Sequence, residues 1–274
     1  MHALSLAQWS LHRSMEAGRV THSDFPRIAR EEFDIGTLEL VNTLTDGHEP
    51  GRIRQFNSHA KNHGVDVLLI MIDDEGDLCA LTATERKQNA ENHFKWLDAA
   101  TELGCRAVRI NTGPEIEMSG DAVEADAVER CAESCHMILE YARERDLEVL
   151  LENHGGVSAN IDLLTQLLDA IPDPLFGTLP DFGNFPLEDP SFNPYDFVAR
   201  MMPRAKSVSA KCFDLERDNQ GRWFDPRVDF VKMMDIVRTA GYEGFLGIEY
   251  EGESADEFKG IRNAKEMIEQ ILGS

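Results

Sequence analysis

Three acidic residues stand where short apolar runs end. Val149-Leu150-Leu151 leads into Glu152, Leu179-Pro180 into Asp181, and Gly247-Ile248 into Glu249. A carboxylate at the end of a buried strand is costly unless a metal or another cation balances it. Three of them converging on one point suit a hard or borderline divalent ion such as Mg²⁺, Mn²⁺ or Co²⁺. Arg109 and Lys211, also at strand ends, offer the other solution, a buried ion pair for an acid. Both readings put the chemistry at the same end of the same strands.

These positions matter only if the fold gathers their strands together. Short β-type runs alternate with longer amphipathic stretches, and the alternation repeats eight times. Strands are predicted at 3–9, 37–41, 65–72, 107–111, 148–152, 176–179, 207–211 and 245–250, with helical patterns such as 84–103, 121–145, 161–171, 228–240 and 254–272 between and after them. Most strands are apolar at consecutive positions, as in Val67-Leu68-Leu69-Ile70-Met71. Such runs are buried on both faces, as in a parallel sheet. Thr82 and Glu85 have the spacing of a capping box, and Gly64 and Gly104 fall where helices should stop.

Eight strand–helix units without a Pro/Gly/Ser-rich linker predict an α/β fold, a (β/α)8 TIM barrel with residues 1–274 as a single domain. A doubly wound open sheet would usually bring a glycine fingerprint after the first strand. Trp9-Ser10-Leu11-His12 stands there instead. Barrel active sites are built from the loops after the strands. The irregular stretch 181–194, rich in Pro, Asn and Asp, is therefore expected to contact substrate.

Composition narrows the partners. Among 274 residues, 27 Lys and Arg face 50 Asp and Glu, a formal charge of -23. Binding nucleic acid or an anionic membrane requires clustered bases that neutralise phosphates, so neither is expected. No apolar run has the length of a membrane span, and residues 1–15 lack a signal-peptide core. A cytoplasmic protein is expected. Five cysteines without CxxC spacing suit reduced thiols. Cys131, Cys135 and His136 read as a helix whose buried face carries the two cysteines, and not as a ligand cluster. Most of the excess acid, as in 115–129 and 251–257, is expected on solvated helical positions.

The eight units, Glu-Asn-His-Gly-Gly at 152–156, Asp-Phe-Gly-Asn at 181–184, Ser-Ala-Lys at 209–211 and Gly-Ile-Glu-Tyr-Glu at 247–251 together resemble the xylose isomerase-like TIM-barrel superfamily. This is the sugar phosphate isomerase/epimerase group, with ketose 3-epimerases, hydroxypyruvate isomerases and inosose dehydratases. The opening Ser5-Leu6-Ala7-Gln8-Trp9-Ser10 is similar to first strands of uncharacterised members. The resemblance implies a sugar isomerase or epimerase dependent on a divalent metal (Mn, Co, Mg or Zn). Glu152 and Glu249 would be metal ligands and the acid/base pair, one on each face of the sugar carbon, and Asp181 a further ligand. A metal chelated by a carbonyl and its neighbouring hydroxyl acidifies the adjacent C–H, and a carboxylate moves the proton through an enediolate. The implied partners are a small carbohydrate and further copies of the chain, since these barrels often form dimers or tetramers.

One departure from the family pattern bears on the metal. Its sites usually take a fourth ligand, a His two residues before a Lys that matches Lys211. Ser209 stands there, and no His follows His154. Either three carboxylates hold the metal with another donor, or Lys211 balances the acids and itself stabilises an enediolate; the alternative partner for Lys211 is Asp214. Asn184 takes the place where some epimerases keep a substrate-contacting His. His154, Trp9, His12, Arg109 and Asn111 are the remaining substrate-contact candidates. Glu39 is a substrate or supporting acid, or one of a buried pair with Arg. Two further functions remain, a metal-free sugar-binding barrel without turnover and a dehydratase of the inosose type. An apurinic-site endonuclease, also built on this barrel, is excluded by the acidity and the lack of a histidine cluster.

Overall fold

Each predicted run becomes a strand, and all eight are parallel. The computed structural model describes residues 2–113, 126–253 and 256–273. The barrel strands are β1 (Ala3–Ala7), β2 (Thr37–Val41), β3 (Asp66–Ile72), β4 (Ala107–Ile110), β5 (Glu148–Glu152), β6 (Phe176–Leu179), β7 (Val208–Cys212) and β8 (Phe245–Tyr250). They lie side by side in the order β6-β5-β4-β3-β2-β1-β8-β7. The ring closes between β6 and β7 through single bridges, Thr178 with Ala205 and Asp181 with Ser209. A continuous ladder is interrupted there because Pro180 has no N–H to donate. Its carbonyl still accepts from Ser209 N at 2.9 Å, and Phe182 N reaches Ser209 O at 3.1 Å.

The helices outside the ring are α1 (His12–Glu16), α2 (Phe25–Phe33), α3 (Pro50–Asn62), α4 (Ala83–Leu103), α5 (Ala127–Arg143), α6 (Ile161–Ala170), α7 (Pro194–Met201), α8 (Phe230–Thr239) and α9 (Glu257–Leu272). Thr82 caps α4 by accepting from Glu85 N at 3.2 Å. The reciprocal half of the predicted box differs, because the Glu85 carboxylate takes the Thr82 hydroxyl at 2.7 Å. Gly104 closes α4 at φ +76°.

Several predicted boundaries shift by one to three residues. β1 ends at Ala7, and Gln8–Leu11 coils into a 3-10 turn. The stretch after β6 gives way at Pro194 to α7, capped by Asn193. α9 starts at Glu257, behind the Asp256 cap. Of the helix predicted over 121–145, residues 121–125 lie outside the described set.

Successive strand residues point to opposite sides of the sheet, which divides the core in two. Ala7, Val41, Leu69, Met71, Ala107, Leu150 and Leu179 cluster inside the ring. The alternate positions, among them Leu6, Leu38, Ile70, Val108, Leu151 and Ile248, pack outward against the helices. Cys131 and Cys135 belong to that outer layer, and all five cysteines are free thiols. Among the described residues, no helix is long and apolar enough to cross a membrane.

One inward residue below the strand ends is also an acid. Glu39 is fully buried and accepts from Ser5 Oγ at 2.5 Å. The absent side chain of Gly247 makes its space, since a Cβ there would meet Glu39 Oε1 at 2.6 Å. Among the described residues no arginine pairs with it. Burial, with the charges of Glu249 and Glu152 nearby, raises its pKa to about 8. An acid raised on folding contributes stability that is complete below the unfolded value of 4.5 and is lost as pH rises through the folded value. Glu39→Gln is therefore expected to stabilise the protein at pH 8 relative to pH 5, by an amount on the order of a few kcal/mol. Urea unfolding at the two pH values checks this; an equal effect at both would contradict it.

Candidate active site

The two-residue alternation that sends Leu150 and Leu179 into the ring sends Glu152 and Asp181 in after them. On the same rule Ser209 and Lys211 of β7 and Glu249 of β8 join them at the C-terminal end. Glu152, Asp181 and Glu249 are all buried, with one carboxylate oxygen from each lying within 4.8 Å of the others. Asp181 comes in beside β7 through its bridge to Ser209. These residues underlie a cavity of about 810 Å³, whose lining includes Trp9, Arg109, Glu152, His154, Asn184, Lys211 and Glu249.

Both balancing cations proposed from sequence are present. Arg109 Nε lies 2.8 Å from Glu152 Oε2, and its Nη1 lies 2.5 Å from Asp73 Oδ1. Asn111 Nδ2 donates to the same Asp73 oxygen at 2.6 Å. Lys211 Nζ lies 3.0 Å from Glu249 Oε1 and 3.1 Å from Glu251 Oε1, and it donates to Asn184 Oδ1 at 2.8 Å. Gly183 lets the lysine stem pass, since a Cβ there would meet its Cγ at 2.8 Å. Asn184 Nδ2 in turn donates to Glu152 Oε1 at 3.1 Å. Asn184 thus links the two glutamates' supports.

Burial and these partners set the charges. Burial raises Glu152 to about 7 against the pull of Arg109. Burial also raises Asp181 to about 7. For Glu249 burial pushes upward too, but the Lys211 ammonium and its hydrogen bond hold the carboxyl below its ordinary value. The acids across the ring are driven apart, a pattern that separates proton donor from acceptor.

Ser209 stands where the family pattern has its histidine, and its Oγ donates to Glu249 Oε2 at 3.1 Å. Asp181 Oδ1 accepts from Gly183 N and Asn184 N at 2.8 and 2.7 Å. Asp181 Oδ2 is buried without a hydrogen-bond partner. Five carboxylates, Asp73, Glu152, Asp181, Glu249 and Glu251, surround two cations. This hard, oxygen-only donor set, in which Asp181 Oδ2 and Glu152 Oε2 are both buried without a hydrogen bond, fits a divalent ion.

The remaining sequence candidates divide. His154 lines the cavity, and burial lowers its pKa, with Arg109 and Lys211 adding repulsion. Trp9 also lines it, stacked on His12 with ring centres 4.6 Å apart and planes at 10°. His12 stands behind that ring, its Nδ1 2.7 Å from Trp9 O, and is not among the lining residues. Asp214 is not the partner of Lys211; it accepts from Tyr250 Oη at 3.4 Å.

Two acids expected on solvated helix are not there. Glu251 lines the cavity, and Glu257 is buried, accepting from Arg13 N and Ser14 N at 2.8 and 2.9 Å. Residues 115–125, expected with them, lie outside the described set. Asp73 ends an apolar strand just as Glu152 does, and is a site residue not among those singled out above. Asn42 locks its backbone with two bonds of 2.8 Å. His93 was also missed; it enters the cavity wall from α4 and carries no local signal.

Comparison with known proteins fits this geometry. A D-tagatose 3-epimerase-like protein superposes with a TM-score of 0.77 at 17% identity, covering 99% of this chain and 97% of the other. A xylose isomerase-like TIM barrel protein from Mycobacterium smegmatis, in complex with magnesium, gives 0.70 at 14% identity, covering 100% and 96%. The probable 3-DHS dehydratase of petrobactin synthesis from Bacillus anthracis gives 0.71 at 15%, covering 99% of each chain. At such identities the likeness is one of fold. No curated protein matches the chain. The sequence itself matches the family described as xylose isomerase-like TIM barrel over residues 32–271, and the chain belongs to that family.

Proposed function

We propose that this chain is a sugar isomerase or epimerase that moves a proton through Glu152 and Glu249, with Glu152, Asp181 and Glu249 holding a divalent metal ion. The observation that carries the reading is the convergence of three buried carboxylates, from three separate strand ends, within 4.8 Å of one another. They underlie a cavity of about 810 Å³, of a size that takes a small organic ligand. The epimerase-like and magnesium-bound neighbours support the same reading.

A bound divalent ion would polarise the substrate carbonyl and acidify the neighbouring C–H. The chain's own residues do the rest. Glu249, kept ionised by Lys211, accepts the proton. Glu152 returns one from the other side, which inverts the carbon; return by a single carboxylate to the adjacent carbon gives isomerisation. Arg109 and Lys211 are fixed cations facing the cavity and favour the negative charge that develops on the enediolate oxygens. Trp9 offers an apolar face to the sugar.

Solvent deuterium exchange at the carbon beside the carbonyl tests the reaction, with ketoses, inososes and hydroxy-keto acids as the panel. Exchange into at least one is expected; none across the panel would sink the proposal. Loss of water following exchange would make the enzyme a dehydratase, for which the Bacillus anthracis neighbour is a parallel. Metal analysis tests the ligands. Asp181→Asn keeps an oxygen for the two backbone N–H groups but removes the charge, and ligand charge tunes affinity. The purified protein is expected to hold one divalent ion per chain, and Asp181→Asn to bind it at least about tenfold more weakly. Equal metal content and affinity would remove Asp181 from the site.

A further inference from the structure

The polar side chains that the loop after β3 and α4 bring to the cavity wall are carboxylates and one neutral histidine. Asp74 and Asp77 both line it. Asp77 accepts the Cys79 backbone N–H at 2.7 Å, and no cation pairs with Asp74 or Asp77 among the described residues. Between them, Glu75 is satisfied by Lys95 Nζ at 2.8 Å and Trp96 Nε1 at 2.5 Å.

Behind the loop stands His93, 2% exposed and part of the same wall. Its Nδ1 lies 2.7 Å from Asn89 O. A carbonyl can only accept, so Nδ1 carries the hydrogen and the neutral ring offers Nε2 as an acceptor. Burial keeps the ring neutral. Nε2 has no partner among the described residues.

The rest of the cavity has the same bias. Seven of its lining residues are Asp or Glu and two are Lys or Arg. Both cations are committed, Arg109 to Asp73 and Glu152, and Lys211 to Glu249 and Glu251. Residues 114–125 and 254–255 contain no Lys, Arg or His, so they supply no further cation. Even a divalent ion on the strand-end carboxylates would leave acids in excess. A phosphate or carboxylate entering this space would meet like charge and find no free base. An ammonium brings three donors, no acceptor and a compensating charge, and a cleft of one sign concentrates ligands of the other.

We propose that Asp74, Asp77 and His93 form a subsite for a protonated amine, so that the substrate is an amine-bearing polyhydroxy carbonyl compound and its phosphorylated counterpart is rejected. This rests on the reading of the site as a proton-transfer centre for sugar-like carbonyl compounds, and it names their class.

Calorimetric binding to the full chain of three probes that share a carbonyl end tests it: 6-amino-6-deoxy-D-fructose, D-fructose and D-fructose 6-phosphate. The amine is expected to bind at least about tenfold more tightly than D-fructose, and the phosphate more weakly than either. The preference should shrink with added salt. It should fall to near unity in Asp74→Asn/Asp77→Asn, whose side chains keep their acceptor oxygens. The single Asp74→Asn at the exposed position gives the same direction if the double variant does not fold. Equal affinities, tighter binding of the phosphate, no binding of any probe, or a preference untouched by the substitutions would overturn the subsite. Deuterium exchange into the same compounds reads the chemistry separately. Exchange without amine preference keeps the enzyme and discards the subsite; amine preference without exchange does the reverse.

Discussion

Replacing Glu152 by Gln is expected to lower proton exchange beside the substrate carbonyl by about 10²–10⁴-fold, the range that a positioned acid or base contributes. Glu249→Gln should lose a similar factor. The two variants differ in what they leave behind. Without the Glu152 charge, Arg109 keeps Asp73 at 2.5 Å, so the cation stays in place and folding should survive. Without the Glu249 charge, Lys211 keeps Glu251 and Asn184 at 3.1 and 2.8 Å. The amide in either variant can still accept a hydrogen bond but cannot carry the proton. Exchange rates within threefold of the parent in both would mean that proton transfer uses other groups. An epimerase also predicts an asymmetry, in which each variant retains exchange from one epimer longer than from the other.

The second large effect is on stability. Lys211 is 3% exposed, and its ammonium balances Glu249 and Glu251. Lys211→Met keeps most of the stem and removes the charge. Deleting one partner of a buried pair typically costs about 3–5 kcal/mol, because the other charge stays buried without compensation. The pH dependence has a definite sign. Glu249 is held below its ordinary value of 4.5 through Lys211, so that stabilisation is present above pH 4.5 and is lost as pH falls through the folded value. The loss in Lys211→Met should therefore be largest near pH 7 and smaller near pH 4, below the unfolded value. Denaturant unfolding of metal-free protein at both values measures it. A loss independent of pH would show that Lys211 acts through packing of its stem.

Strand period, helix stops and the acids at strand ends are local properties, and they were legible. Consecutive apolar residues in β3 and β5 marked strands buried on both faces. Counting by twos from Leu150 and Leu179 was enough to direct Glu152 and Asp181 into the ring. Helices α1, α2, α3 and α7 were less visible. α3, for example, buries only Ile53, Phe56 and Ala60, a thin stripe that a single sequence hardly distinguishes from loop.

Tertiary structure decided which charge meets which. Lys211 faces Glu249 and Glu251, 38 and 40 residues on, and not its near neighbour Asp214, because β7 and β8 pair with Lys211 opposite Glu249. Asp73 meets Arg109 through the β3–β4 pairing that sets Met71 opposite Arg109. Glu257 looked like surface acid but serves backbone N–H groups of the first helix. Ser209 could be read only as a missing ligand, whereas in the ring it donates to Glu249. The physical reason is the range of each force. Side-chain alternation is fixed by the backbone of one strand, but a buried charge takes its partner from whatever ring closure brings within about 3 Å, and that neighbour is set by strand register.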